Sequence, residues 1–183
     1  MRVISGNLRG TKLYSLEGLD TRPTLDRVKE SLFNIINFDV KDSTFLDLFA
    51  GSGAIGIEAA SRGAKKVVMC EKSKEAVKII NKNLEKTRLQ NEVELFNMDF
   101  EKCIIDKLTE KFDIIYLDPP YKTDYIYRAL ELILKKELVK ESTIIILETD
   151  IEQIVENQLE KLSLTEFNSK KYGRASLLFY KTN

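Results

Sequence analysis

The chain has 183 residues, 43% hydrophobic and 32% charged, with 29 lysines and arginines balancing 29 acidic residues. That length builds one domain with a sizeable core, and no apolar run approaches the ~18 residues that cross a bilayer. Histidine is absent, and the two cysteines, Cys70 and Cys103, form no CxxC pair, which excludes the usual metal clusters and Ser-His or Cys-His catalysis.

The opening residues, MRVISGNLRG, lack the apolar stretch of a signal peptide. A cytoplasmic location is therefore expected, with no membrane partner and no metal. The segment RVISGNLRGTKLYS reads as a small hairpin turning around Gly6-Asn7 and Gly10. Residues 1–16 carry Arg2, Arg9 and Lys12 and no acid, whereas residues 131–162 hold eight acids against four bases. Lys170, Lys171, Arg174 and Lys181 follow the last acid, Glu166. Basic ends on a neutral body fit a local phosphate footprint; on charge alone, solubility is the simpler account.

TRPTLDRVKESLFNIINF predicts a helix with Thr24 as N-cap and Leu25, Val28, Leu32, Ile35 and Ile36 on one stripe. From Thr44 the pattern alternates. TFLDLF, KKVVMCE, EVELFN, FDIIYLD and STIIILE read as buried strands. Between them run a small-residue helix ending near Gly63, a helix capped by Ser73, a short helix over 100–109 and a helix from Tyr125 to Lys136. A helix over 151–161 and an antiparallel hairpin around Gly173 close the chain. Alternating strands and helices predict an α/β doubly wound, mostly parallel sheet. The hairpin and helix of residues 1–40 are expected to stand outside the core of residues 41–183, all within one domain.

In such sheets ligands sit beyond the carboxyl ends of the strands. Those ends hold Asp47, Glu71, Asp99, Asp118 and Glu148. After the first strand, DLFAGSGAIGIEA contains Gly51, Gly53 and Gly56 in GxGxxG spacing, with Glu71 20 residues beyond Gly51. This is formally a dinucleotide fingerprint, in which glycines admit a pyrophosphate and the acid binds a ribose. A ligand-free tight turn is the bland alternative. Asp47, just before the glycines, would repel a pyrophosphate and favour a cationic cofactor without phosphate, such as S-adenosylmethionine.

FDIIYLDPPY places two of the chain's three prolines after Asp118. Proline fixes φ and restricts the residue before it, so the Asp118 carboxylate and the Pro119 carbonyl become preset acceptors. Two such acceptors can hold both N–H bonds of an exocyclic nucleobase amine, and the Tyr121 ring offers a stacking platform. Prolines alone would more simply mark a rigid turn.

Together these residues resemble class I S-adenosylmethionine-dependent methyltransferases. RVISGNLRGTKL, TRPTLDRVKESLFN, FLDLFAGSGAIGIEAASRGA and DPPY resemble, nearly end to end, the RsmD family, which methylates the N2 amine of a guanine in 16S rRNA. The resemblance implies a Rossmann-like, seven-stranded, mostly parallel sheet with helices on both faces, plus the N-terminal β-hairpin and helix. It implies that Asp47, Phe49, Ala50, Gly51 and Gly53 hold the methionine part of the cofactor. Glu71, with Lys72 beside it, would take the ribose; Asp99 and Phe100, the adenine; Asp118, Pro119, Pro120 and Tyr121, the guanine. Arg22 and Thr24 would lie close to the pocket, although a plain helix cap accounts for them equally well. Arg2, Arg9 and Lys12 are candidate RNA contacts of a monomer acting on the 30S subunit. A DNA N6-adenine or N4-cytosine methyltransferase, a nucleotide-binding oxidoreductase and a non-catalytic assembly factor are the alternatives.

Overall fold

Strands that are apolar throughout need cover on both faces, and the helices supply it. The computed structural model describes residues 1–16, 23–120, 123–150, 159, 162, 164–173 and 175–182, except for the side chains of residues 23–25. In order, the elements are α1 (Pro23–Ile35), β1 (Thr44–Asp47), α2 (Ala54–Ser61), β2 (Lys66–Cys70), α3 (Lys74–Thr87), β3 (Val93–Phe96) and α4 (Phe100–Asp106). They continue with β4 (Phe112–Leu117), α5 (Tyr125–Lys135), β5 (Val139–Thr149), β6 (Leu164–Tyr172) and β7 (Ala175–Thr182). The sheet runs β3-β2-β1-β4-β5-β7-β6. The first five strands of that order are parallel, and β7 and β6 are antiparallel. The helix expected over 151–161 lies outside the described residues, apart from the buried Leu159.

Successive strand residues point to opposite faces, and the two cores divide accordingly. Phe45, Val67, Ile114 and Ile144 pack with α1, α2 and α3. Leu46, Val68, Ile115 and Ile145 pack with α4 and α5. The same parity carries Asp47, Tyr116 and Glu148 to the α1–α3 side of the sheet at its carboxyl edge.

Three sequence expectations change. Helix α1 begins at Pro23, so Thr24 is helical rather than its cap; a fixed φ and a missing N–H suit proline to the first helical position. Nor is α1 an add-on, because Val28, Leu32 and Phe33 are buried in the same cluster as the strands. The hairpin before it is reduced to one antiparallel bridge, Arg2 to Lys12, with Val3 N–H donating to Thr11 O at 2.9 Å and Leu13 N–H to Met1 O at 3.0 Å.

A buried carboxylate ties this arm down. Glu58 of α2 is fully buried and pairs with Lys29 Nζ at 3.1 Å and Arg62 Nε at 2.8 Å. Its oxygens also accept from Ile4 N–H at 2.8 Å and Ser5 N–H at 2.9 Å. Lys29 Nζ donates in turn to Arg2 O at 2.6 Å. Close by, Gly6 lies against Ser61 O, and a Cβ there would sit 1.8 Å from it. Asn83 of α3 fastens the end of the arm: Oδ1 accepts from Tyr14 N–H at 2.7 Å, and Nδ2 donates to Tyr14 O and Ser52 O, both at 2.9 Å.

Removing one partner of a buried ion group strands the others. Glu58→Ala leaves Lys29 and Arg62 without their carboxylate and two arm amides without an acceptor. The expected loss is about 3–5 kcal/mol of unfolding free energy, read from urea denaturation.

Candidate active site

A cavity of about 710 Å³ opens over the carboxyl ends of β1, β2, β4 and β5. The loop from β1 to α2 forms its floor. Gly53 is the α2 N-cap in a left-handed conformation, φ 78°, which a side chain would strain. At Gly56 a Cβ would lie 2.4 Å from Met69 Cε, so this glycine lets α2 press on β2. Asp47, at the end of β1, is 1% exposed and lines the cavity. Neither of its carboxylate oxygens has a hydrogen-bond partner among the described residues. Burial pushes its pKa up to about 7; the backbone N–H groups of Gly56 and Phe49 oppose this, at geometry short of a hydrogen bond, and the Glu71 charge adds to it.

Glu71 follows β2 and is locked by backbone donors: Gly51 N–H to Oε2 at 2.8 Å and Ser73 N–H to Oε1 at 2.7 Å. The glycine-loop amide that a pyrophosphate would use is thus taken by a carboxylate. Asn97 Nδ2 donates to the backbone oxygens of Glu71 and Lys72 at 2.9 and 3.2 Å and fixes this turn. Lys72 is exposed and pairs with Asp99 at 3.1 Å. Asp99 caps α4 through Glu101 N–H at 3.1 Å. Burial opposes ionisation of Asp99, but its contacts with Lys72 and Glu101 outweigh that and lower its pKa. Phe100 meets Phe49 and Tyr125 at ring-centroid distances of 5.1 Å each, and Phe49 stacks on Tyr125 at 6.4 Å. These three rings make an aromatic wall for a planar ligand.

The opposite wall is acidic. Asp118 follows β4 into the cavity, and among the described residues its carboxylate has no hydrogen-bond partner. Burial raises its pKa well above the usual carboxylate range, with the Glu148 and Asp47 charges adding to the effect. Pro119 is buried and Pro120 exposed. Thr123 Oγ1 donates to Pro120 O at 2.9 Å, while no described residue donates to Pro119 O. Tyr116, buried on β4, donates its hydroxyl to Glu148 Oε2 at 2.6 Å. Helix α1 reaches the same cavity through Val28 and Lys29.

The cavity gathers Asp47, Phe49, Ala50, Gly51, Glu71, Lys72, Asp99, Phe100, Asp118, Pro119 and Pro120 from four separate loops. Gly53 stands one residue behind the lining, between Ser52 and Ala54. Arg2, Arg9 and Lys12 lie away from it, exposed on the arm. Tyr121, Arg22 and the side chain of Thr24 are outside the described residues. Sequence reasoning missed Tyr125, read only as a helix start, and Tyr116 and Lys29, read only as strand and helix positions. It counted Glu148 among the strand-end acids without giving it a role. Alternation along the apolar strand was the signal that could have placed Tyr116 beside Asp47, two residues before Asp118.

The protein-family model described as Conserved hypothetical protein 95 matches residues 1–181. The chain is 36% identical over 183 residues to a proposed rRNA methyltransferase, YlbH, of Bacillus subtilis, covering 99% of this chain and 98% of that one. It is 38% identical over 154 residues to ribosomal RNA small subunit methyltransferase D of Haemophilus influenzae, covering 82% and 79%. Among solved structures, the proposed methyltransferase yhhF of Escherichia coli superposes with a TM-score of 0.87 at 29% identity, covering 100% and 97%. The expected fold class, a Rossmann-like sheet of the class I methyltransferase type, holds.

Asp47 makes the acidic wall measurable. Its folded pKa of about 7 exceeds the ordinary 3.8, so the folded state holds this proton more tightly than the unfolded chain. Stability contributed by the protonated form is therefore lost as pH rises from about 4 to about 7. Asp47→Asn never ionises there. It should exceed the parent by about 4 kcal/mol at pH 8, at roughly 1.4 kcal/mol per pKa unit, and the difference should close towards pH 4. Urea denaturation across that range measures it.

Proposed function

Because the chain belongs to the Conserved hypothetical protein 95 family, the RsmD family, we propose that it is an S-adenosylmethionine-dependent rRNA methyltransferase. Its target is the exocyclic N2 amine of a guanine in 16S rRNA, met on the small ribosomal subunit. The names of relatives from Haemophilus influenzae and Escherichia coli support small-subunit rRNA as the substrate class. One observation carries the reading: a buried, unpartnered carboxylate, Asp47, shares a cavity with the rigid acceptor corner Asp118-Pro119.

The residues fit this cofactor. A ligand bearing an ammonium and a sulfonium compensates Asp47, which no cationic side chain among the described residues does. Glu71 is held in place by two backbone amides and keeps free lone pairs for ribose hydroxyls. Phe49, Phe100 and Tyr125 suit an adenine. A dinucleotide would instead bring phosphates against Asp47 and Glu71.

When bound, the cofactor supplies a methyl group on a positively charged sulfur. The chain supplies position. Asp118 and the Pro119 carbonyl accept the two N–H bonds of the amine, turning its lone pair towards the donor side of the cavity. Methylation leaves the nitrogen with one proton too many. Asp118, whose burial raises its proton affinity, stands where it can accept that proton at a carboxylate oxygen. The N2 amine faces the minor groove of a pair, so the guanine must be flipped out or unpaired, at a cost of a few kcal/mol.

Labelled S-adenosylmethionine offered with 30S subunits, naked 16S rRNA and DNA tests the reading, with mass spectrometry of the product nucleoside. N2-methylguanosine from the subunit is expected; a methylated adenine or cytosine overturns it. Asp118→Ala should lower transfer about 10²–10³-fold with cofactor affinity unchanged by calorimetry. The pair Arg9→Ala and Lys12→Ala should flatten the log–log salt dependence of subunit binding by about 1.4–1.8, two phosphate contacts' worth.

A further inference from the structure

Strands β4 and β5 run parallel with Leu117 opposite Leu147 as their last registered pair. The next residues along are Asp118 and Glu148, so two carboxylates emerge side by side into one cavity. Glu148 is 8% exposed. Its Oε2 takes the Tyr116 hydroxyl at 2.6 Å, and among the described residues Oε1 has no hydrogen-bond partner. Tyr116 is buried, so this bond fixes the direction in which the carboxylate faces. A phenol needs only a neutral acceptor. Placing another buried acid beside Asp118 for that purpose alone raises the proton affinity of Asp118, while burial raises that of Glu148 itself, and so destabilises the fold without return.

The return is in the substrate. A guanine shows two donors next to each other on its Watson–Crick edge, N1–H and the N2 amine. Adenine and cytosine show an amine beside a bare ring nitrogen, which is an acceptor. Asp118 with Pro119 alone would grip any of these amines. Resting on the guanine-N2 reading above, we propose that Glu148 is the specificity-determining residue of this site, accepting the N1–H of the target guanine while Asp118 and Pro119 hold N2. A ring lone pair turned towards the same carboxylate would be repelled, so the adjacent acid both selects guanine and rejects the other amine-bearing bases.

The test uses the base analogue 2-aminopurine, which keeps the C2 amine but has a bare N1. Once the methylated guanine of 16S rRNA is mapped, 2-aminopurine is spliced in at that position, and single-turnover rates are compared on both RNAs. The parent protein should favour guanine by about 10²-fold or more. Glu148→Gln keeps the shape. Its amide oxygen stays on the Tyr116 hydroxyl, so its NH2 faces the base as a donor. Guanine methylation should then fall while 2-aminopurine methylation is retained or rises, taking the ratio to near one or below. Cofactor affinity should not change, which shows that the variant is folded. An unchanged ratio in Glu148→Gln, with both rates scaled together, assigns Glu148 to holding Tyr116 and overturns the proposal. Should that variant not fold, equal rates of the parent protein on the two bases overturn it equally. A parent protein that methylates no guanine in 16S rRNA overturns the underlying reading instead.

Discussion

The constraint on which the site depends is that Asp47 and Asp118 face the cavity with no hydrogen-bond partner among the described residues, beside a buried Glu148 held only by the Tyr116 hydroxyl. Asp47 is buried with both oxygens unpaired among the described residues, burial and the Glu148 and Asp47 charges raise the proton affinity of Asp118, and burial raises that of Glu148 against the Tyr116 hydrogen bond. Each group would be more stable in solvent. The apolar packing that surrounds them overrides that preference. Phe45 and Leu46 precede Asp47, Leu117 precedes Asp118, and Ile146 and Leu147 precede Glu148, all fully buried. Parallel strands covered on both faces all end at one edge, so residues that could not share a core can share a cavity there. The cavity is preorganised for positive charge and hydrogen-bond donors because the protein does not satisfy it.

A second set of buried polar groups points the other way, because it is fully satisfied. Glu58 joins α1, α2 and the arm through Lys29, Arg62 and two backbone amides. Asn83 joins the arm to the glycine loop through Tyr14 and Ser52. These two groups tie the exposed arm to α1, α2 and the floor of the cavity through hydrogen bonds between residues 27 to 69 apart in sequence. Lys29 belongs to both regions: it pairs with Glu58 and lines the cavity. Because Glu58 and the Arg2 carbonyl already hold it, Lys29 does not neutralise the acidic wall.

How much of this was legible in the sequence follows from the range of each interaction. Uniformly apolar runs gave five parallel strands, and Ser73 gave a cap whose Oγ accepts from Ala76 N–H at 3.3 Å, because both are local signals. Gly51, Gly53 and Asp118-Pro119-Pro120 were legible because the chemistry they suggest depends on neighbours in the chain. Glu58 was not: in GAIGIEAASRG it reads as one polar residue on a small helix, and its burial comes from an arm more than 50 residues away. The inclusion of α1 in the core escaped for a related reason. Its stripe of Leu25, Val28, Leu32, Ile35 and Ile36 predicts a buried face but not the partner that buries it. Thr24 was mistaken for a cap because its side-chain chemistry suits one, whereas the helix starts at Pro23, whose fixed φ suits the first helical position, two residues before the start that a Thr24 cap implies.

Zero net charge is at odds with a nucleic-acid substrate only if charge is averaged over the surface. Arg2 and Lys12 are bridged cross-strand neighbours, an arrangement that places like charges together at a cost. Neither they nor Arg9 enter any ion pair among the described residues. All three are exposed, while the backbone that carries them is tied down by Glu58, Ser61 and Asn83. An arm held by its amides leaves its cationic side chains unspent, and a phosphate meeting them displaces water and counterions rather than a competing carboxylate. Under the proposed function, three cations placed on one anchored arm, over a body in which acids outnumber bases, favour a target presenting phosphates at one fixed position over an extended polyanion.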